Sequence, residues 1–219
     1  MTTLYVTGFG EFGEVKSNPT SEVLESLKAA GVQLAPEHCV KECIDVLHVS
    51  KNGIDEYLET VHMSSNNISI HFGINNKATA FALEQCAYNN MDFRIPDMAG
   101  YEPKEVCIDS DLLLDYPRTT GFQLDGVLAQ LKQEGFDVGI SEDPGRYCCN
   151  YVYYQSLKRQ AKMPCGRAKY SIFIHVPPFA AIDKNTQTRF VRRVVALLCA
   201  QAANPSMLES HKIMCGIFC

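Results

Sequence analysis

The sequence lacks the features that send a chain to a membrane or out of the cell. No apolar run approaches the roughly 20 residues of a membrane-spanning helix, and the first residues show none of the sections of a signal peptide. Basic residues are not in excess, since 20 Lys and Arg stand against 25 Asp and Glu, for a net charge of -5. We therefore expect a cytoplasmic protein that binds neither membranes nor nucleic acids.

Signals for metal sites and disulfides are also weak. The ten cysteines lie in a chain of ordinary domain size without an export signal, which indicates reduced thiols, most of them packed in the core. Cys39 and Cys43, like Cys215 and Cys219, are spaced by four residues and do not match the C-x-x-C knuckle of common zinc sites. We expect neither a metal nor a cofactor.

Strand and helix patterns alternate along most of the chain, which predicts an α/β fold with helices on both faces of the sheet. The predicted strands are Thr3–Thr7, Cys39–Val46, Ile68–Phe72, Phe136–Ile140 and Tyr170–Val176. Five helices are predicted. The first follows Asn18, the second lies around Ile54 to Val61, the third covers Leu124 to Leu131, the fourth begins near Tyr147, and the fifth covers Phe190 to Leu198. Residues 75–116 are predicted to form short irregular strands and a functional loop. With no linker or repeat in view, we expect a single domain over residues 1–219.

Cys149 lies where a predicted strand passes through a tight loop into a helix. A thiol in the first turn of a helix is close to the positive end of the helix dipole, which stabilises the thiolate that attacks carbonyl carbons. The helical period also aligns Cys149 with Val152, Tyr153 and Ser156, which is equally typical of a buried packing thiol. Cys149 is thus a candidate nucleophile, with packing as the alternative.

His175 and Glu84 are the candidate partners of this thiol. His175 lies near the end of an apolar strand, where it is either a general base or a satisfied core histidine. Glu84 has apolar neighbours and is either paired with His175, which it would orient, or exposed at a strand end. Because ligands of open α/β sheets bind beyond the carboxyl ends of the strands, we expect the three residues to meet there.

Four segments in register resemble the signatures of the pyroglutamyl-peptidase I family of cysteine peptidases. They are Tyr5–Gly13 followed by Asn18, Phe81–Asn89 around Glu84, Gly145–Asn150, and Phe173–Pro177. The resemblance covers nearly the whole chain. It implies a three-layer α/β/α sandwich with a mostly parallel, mixed and twisted sheet.

The resemblance also implies an activity and a set of site residues. The activity is hydrolysis of the amide bond after an N-terminal pyroglutamyl residue of a peptide, through a thiol acyl-enzyme. The implied catalytic residues are Cys149, His175 and Glu84. The implied substrate-binding residues are Phe9, Phe12, Tyr147, Cys148 and Asn18.

The sequence departs from bacterial-type members of that family at two places, and its spacing is closer to the animal-type branch. Those members carry a glycine-rich stretch with an arginine six residues before the glutamate, where this chain has Ala78 beside Lys77. Met98 stands where an asparagine is expected. The support for Glu84 and the contacts of the loop around Met98 must therefore differ here.

Two other classes of function fit parts of the sequence. The segment Gly8–Gly13 satisfies G-x-G-x-x-G after a strand, as in dinucleotide-binding oxidoreductases, although the predicted helix starts only near Asn18 and Glu11 would face the pyrophosphate. The adjacent Cys148 and Cys149 are also compatible with a non-catalytic thiol redox or binding protein. Nucleotide binding and selective thiol labelling distinguish these alternatives from a hydrolase.

Overall fold

The computed structural model describes residues 2–61, 67–161 and 170–204. The strands are β1 (Thr3–Phe9), β2 (Lys41–Leu47), β3 (Asn67–Ile74), β4 (Phe81–Glu84), β5 (Cys86–Tyr88), β6 (Pro117–Thr119), β7 (Val138–Ser141) and β8 (Ser171–Val176). The helices are α1 (Pro19–Ala29), α2 (Lys51–Thr60), α3 (Leu124–Gln133), α4 (Cys148–Ala161) and α5 (Lys184–Ala203). Cys215 and Cys219 lie outside the described residues. No helix in these ranges combines the length and apolar character needed to cross a bilayer.

A six-stranded sheet forms the middle layer, in the order β2-β1-β3-β8-β4-β7. Strands β2, β1, β3 and β8 are parallel to one another. Strand β4 pairs antiparallel with β8 and parallel with β7, so β4 and β7 run against the other four strands. Helix α5 contacts α1 and α3 on one face of the sheet, and α2 contacts α4 on the other. The prediction of a three-layer α/β/α sandwich with a mostly parallel, mixed sheet is confirmed.

Each face of the sheet has its own hydrophobic core. Alternate residues of β8 point to opposite faces, so that Ile172 and Ile174 pack beneath α1, α3 and α5, whereas Phe173 packs beneath α2 and α4. This burial on both faces explains why β8 is apolar along its length. His175 follows Phe173 by two positions and therefore points to the α4 face.

Strands β4 and β7 hold the main differences from the sequence predictions. Residues 75–116 contribute β4 to the large sheet, between β8 and β7. With only four residues, this strand is too short to show a reliable period in the sequence. The antiparallel direction of β4 and β7 also means that the strands before Glu84 and Cys149 do not end at the same sheet edge as β8. The expectation that all three residues lie beyond a common edge is therefore wrong. The single domain over 1–219 stays a prediction.

Candidate active site

Glu84, His175 and Cys149 come together on the α4 face of the sheet. In the antiparallel pair of β4 and β8, Glu84 lies opposite Phe173 and diagonally from His175. Such diagonal side chains share a face and are close enough for long side chains to touch. Oε1 of Glu84 lies 2.7 Å from Nδ1 of His175, and the same imidazole hydrogen-bonds Cys149. The structure thus brings together the three residues that the sequence predicted to interact.

The imidazole of His175 is held in its charged form by these two partners. Burial, with 7% of the residue exposed, would lower its pKa, but the hydrogen bonds to Cys149 and Glu84 outweigh burial and raise that pKa to about 10. Because the folded pKa is above the ordinary value of about 6.5, the ring keeps its proton through neutral pH. A protonated imidazole next to a thiol is the pairing that cysteine nucleophiles require.

Cys149 and Cys148 differ in exposure although they are neighbours at the start of α4. Cys149 is half-buried, whereas Cys148 is 1% exposed and packs in the core beneath the helix. Burial, followed by the proximity of Cys149, raises the pKa of the Cys148 thiol. Cys148 therefore stays a protonated packing group, and Cys149 is the accessible thiol of the pair.

Gly73 of β3 lies directly under the thiol of Cys149. A methyl group at this position would lie 2.6 Å from Cζ of Phe173 and 3.1 Å from Sγ of Cys149. Both distances are too short, so only glycine lets the thiol come this close to the sheet. Gly73 was not predicted from the sequence as part of the site, although a glycine inside an apolar strand is a known sign of close approach by another group.

Replacement of Gly73 by alanine is expected to lower kcat by roughly tenfold or more, because a displacement of about 1 Å at a reacting atom has such an effect. The added methyl must move either the fully buried Phe173 or Cys149. The measurement is kcat on a pyroglutamyl amide, normalised to titrated active thiol. Gly139→Ala in β7 is the matched control, since a methyl there meets no atom within 4 Å. Equal turnover by the two variants would contradict this role of Gly73.

The first turn of α4 is fastened to the neighbouring strand by Asn150. Its Oδ1 accepts the backbone N–H of Tyr88 at 2.8 Å, and its Nδ2 donates to the backbone oxygens of Tyr88 and Asn90. Arg146, just before the helix, forms ion pairs with Asp115 and Asp143 and lies over the ring of Tyr88. These contacts fix the turn that carries Cys149. The sequence offered no sign of the contacts with Tyr88, Asn90 and Asp115, because these partners are distant along the chain.

The aromatic residues predicted to bind the substrate lie in the core layer that contains the two cysteines. Phe9 is buried at the end of β1, and Phe12 is half-buried in the following loop, with its ring centroid 6.3 Å from that of Tyr147. Phe93, which was not predicted from the sequence as part of the site, has its ring centroid 4.7 Å from that of Tyr147. The half-buried rings of Phe12 and Tyr147 thus pack against the same core cluster as Cys149.

A loop held by Asp97 covers this aromatic group. The buried Asp97 carboxylate accepts the backbone N–H groups of Lys51, Ala99 and Tyr101. The hydroxyl of Tyr147 donates to the backbone oxygen of Pro96 in the same loop. The loop is therefore organised by an aspartate after a proline, which is common turn chemistry.

Asn18 supports the loop that carries Phe9 and Phe12. Its Oδ1 accepts the backbone N–H of Thr20, as the N-cap of α1, and its Nδ2 donates to the backbone oxygen of Gly10 at 2.9 Å. These bonds use the side chain within the protein. A direct contact between Asn18 and a substrate stays a prediction.

The two departures from the bacterial-type pattern have different consequences. Lys77 is exposed, and within the described part of the chain Oε2 of the buried Glu84 has no hydrogen-bond partner. Lys77 thus forms no hydrogen bond with Glu84. The side chain of Met98 is exposed, while its backbone N–H donates to the oxygen of Val49 and holds the covering loop.

The glycine pattern of the first loop does not open a helix. Gly13 lies six residues before the start of α1, in a bridge between Phe12 and Val15. In dinucleotide-binding folds the third glycine lies in the helix whose N-terminus binds the pyrophosphate. The oxidoreductase alternative is therefore not favoured.

A thiol at a helix start, next to an imidazole that a carboxylate orients, is the arrangement of a cysteine hydrolase on an α/β fold. Comparison with known proteins gives the family. The family model described as pyroglutamyl peptidase matches residues 2–203, so the chain belongs to the pyroglutamyl peptidase family, a family of peptidases.

Individual relatives agree with this assignment. The chain is 32% identical over 182 residues to a pyrrolidone-carboxylate peptidase of Pyrococcus furiosus, covering 82% of this chain and 83% of that protein. It is 32% identical over 178 residues to pyroglutamyl-peptidase 1 of Rattus norvegicus, covering 79% and 78%. The crystal structure of pyrrolidone carboxyl peptidase from Fervidobacterium islandicum matches with a TM-score of 0.75 at 26% identity, covering 90% of this chain and 98% of that one.

Proposed function

We propose that this protein removes an N-terminal pyroglutamyl residue from peptides, with Cys149 as nucleophile, His175 as general acid and base, and Glu84 as the group that orients His175. The observation that carries the proposal is the hydrogen-bonded series from Cys149 through His175 to Glu84. Its position in the cluster that contains the half-buried rings of Phe12 and Tyr147 fits a small uncharged ring. The cytoplasmic location expected from the sequence is part of the proposal, since the described cysteines are free thiols, which a reducing compartment maintains.

The reaction proceeds in two steps. The thiolate of Cys149 attacks the carbonyl carbon of the pyroglutamyl residue, the carbon–nitrogen bond breaks, and His175 gives its proton to the leaving amine. A thioester between Cys149 and the pyroglutamyl group remains. His175 then takes a proton from water, the resulting hydroxide attacks the thioester carbon, and the carbon–sulfur bond breaks to release pyroglutamate and the thiol.

The negative oxygen of each tetrahedral intermediate lies near the first turn of α4. The backbone N–H groups at positions 148 to 150 have no acceptor within the helix, as at the start of any α-helix. They point toward the end of the helix where Cys149 reacts, and the helix dipole adds to their attraction. In this proposal these N–H groups stabilise the oxyanion.

Specificity is expected to follow from the uncharged character of the pocket. Peptides that begin with glutamine or glutamate carry an α-ammonium, whose removal from water the aromatic side chains cannot offset. A prolyl ring has the right size but lacks the lactam carbonyl. The protein group that would hydrogen-bond this carbonyl is then left unpaired, at a cost of about 1–3 kcal/mol. We expect kcat/KM on a pyroglutamyl amide to exceed that on the prolyl amide by roughly tenfold to a hundredfold.

The measurement is kcat/KM for pyroglutamyl, prolyl, glutaminyl and alanyl amides of one chromogenic amine. Phe12→Ala should raise KM for the pyroglutamyl amide, and it is the informative variant because Phe12 is only half-buried. Titration of the active thiol shows that each preparation is folded. Equal cleavage of the alanyl and pyroglutamyl amides by titrated enzyme would overturn the proposed function.

A further inference from the structure

The carboxylate of Glu84 is held at only one of its two oxygens. Oε1 lies 2.7 Å from Nδ1 of His175, whereas Oε2 is buried and has no hydrogen-bond partner among the described residues. Buried carboxylate oxygens are usually hydrogen-bonded, because leaving one unpaired is costly. One hydrogen bond does not fix the plane of a carboxylate, so the orientation of this group depends on where the backbone of Glu84 lies.

The backbone of Glu84 is held by a tyrosine of the helix that carries the thiol. The hydroxyl of Tyr153 donates to the backbone oxygen of Glu84 at 2.9 Å. Glu84 is the last residue of β4, and the side chain of Tyr153 is fully buried. Without the hydroxyl, the carbonyl oxygen loses a partner that solvent does not readily replace. The end of β4 is then free to shift.

Tyr153 is also connected to the other two residues of the series. It follows Cys149 by four positions in α4, so the two side chains lie on one face of the helix. Its ring centroid lies 6.3 Å from that of Phe173. Phe173 lies opposite Glu84 in the pairing of β4 with β8, two positions before His175. One buried side chain thus links the helix of the thiol with the strands of the carboxylate and the imidazole.

We propose that Tyr153 is a positioning residue of this site, which orients Glu84 toward His175 by holding the backbone of Glu84 against α4. The inference rests on the proposed function, because it concerns the same catalytic residues. Tyr153 is fully buried and acts through Glu84 without touching a substrate. Its contribution therefore belongs to the chemical steps, and binding of the pyroglutamyl ring does not depend on it.

The test is Tyr153→Phe, which removes the hydroxyl and keeps the ring in the core. On a pyroglutamyl amide, kcat should fall by about tenfold with KM within about twofold of wild type, because a small shift of a catalytic group slows the chemical steps. Alkylation of Cys149 by iodoacetamide at pH 6 should slow by about threefold or more, because a misplaced carboxylate favours the protonated imidazole less. Tyr57→Phe is the matched control, since the buried Tyr57 hydroxyl has no hydrogen-bond partner in the described part of the chain. It should leave both rates unchanged.

A double-mutant cycle with Glu84→Ala separates positioning from a general loss of structure. Once the carboxylate is gone, Tyr153→Phe has nothing to misplace and should change kcat and the alkylation rate by less than about twofold. A further loss of about tenfold in the Glu84→Ala background, or wild-type rates in Tyr153→Phe, would overturn the inference while the proposed function stands. A wild type that cleaves no pyroglutamyl amide would overturn the proposed function, and the alkylation rates would still decide the inference.

Discussion

Replacing Cys149 with serine is expected to lower kcat on a pyroglutamyl amide by more than about a hundredfold, beyond the effect of losing one assisting group. Cys148→Ser should retain most of the activity, because the Cys148 thiol is buried and protonated. The structure distinguishes these neighbours by exposure, which the sequence could not do. The measurement is the steady-state rate of both variants at equal protein concentration, with folding checked by circular dichroism.

Labelling with a limiting amount of iodoacetamide gives an independent readout. Trypsin releases residues 147–158 as one peptide, and fragmentation of this peptide locates the label at one thiol or the other. The proposed nucleophile requires the label at Cys149 alone. Labelling at both thiols, or loss of turnover in Cys148→Ser with Cys149→Ser still active, would contradict the assignment and favour the redox alternative.

The second large effect concerns how the rate of alkylation of Cys149 depends on pH. His175 has a pKa raised to about 10 by its hydrogen bonds to Cys149 and Glu84, against the opposing effect of burial. It therefore remains protonated through neutral pH, with its positive charge beside the thiol of Cys149. Alkylation of Cys149 should stay fast at pH 6, where a free thiol with a pKa of about 8.5 is almost fully protonated.

His175→Ala should slow alkylation at pH 6 by on the order of a hundredfold, since the thiolate fraction then falls to that of a free cysteine. Glu84→Gln should have a smaller effect, because the amide oxygen still accepts the hydrogen bond from Nδ1 and only the negative charge is lost. The control is alkylation at pH 10, where all three proteins carry the thiolate and should react at similar rates. Equal rates of wild type and His175→Ala at pH 6 would exclude the proposed ion pair.

The fold was predictable where a strand or helix is long enough to show its period. The apolar β8 and the five helices were placed within a few residues, because burial on one or two faces imposes a pattern on the sequence. Strand β4 was not placed in the central sheet, since four residues carry too little pattern. The reversed direction of β4 and β7 could not be predicted either, because a hydrophobic pattern does not encode strand direction.

The candidate site could be predicted in part. Cys149 and His175 each had a core-packing alternative, and the alternative for Glu84 was an exposed strand end. The match of four segments in register, rather than any single residue, favoured the catalytic interpretation. Gly73 and Asn150 act through contacts with residues distant along the chain, which spacing does not show. The side chain of Asn18 caps helix α1 and bonds to the loop before it, which is a sufficient reason for an asparagine at this position. Its predicted contact with the substrate therefore has no support from the geometry.

The separation of the site residues along the chain has a consequence for folding. Glu84 and His175 are 91 positions apart, and Asn150 is 62 positions from Tyr88, the residue that anchors it. Closing such long loops is slow and occurs late relative to the formation of local helices. A newly made or partly refolded chain therefore carries its thiols without an oriented imidazole. Peptide hydrolysis is gained only when β4 docks against β8, so that an unfinished chain cannot act on pyroglutamyl peptides around it.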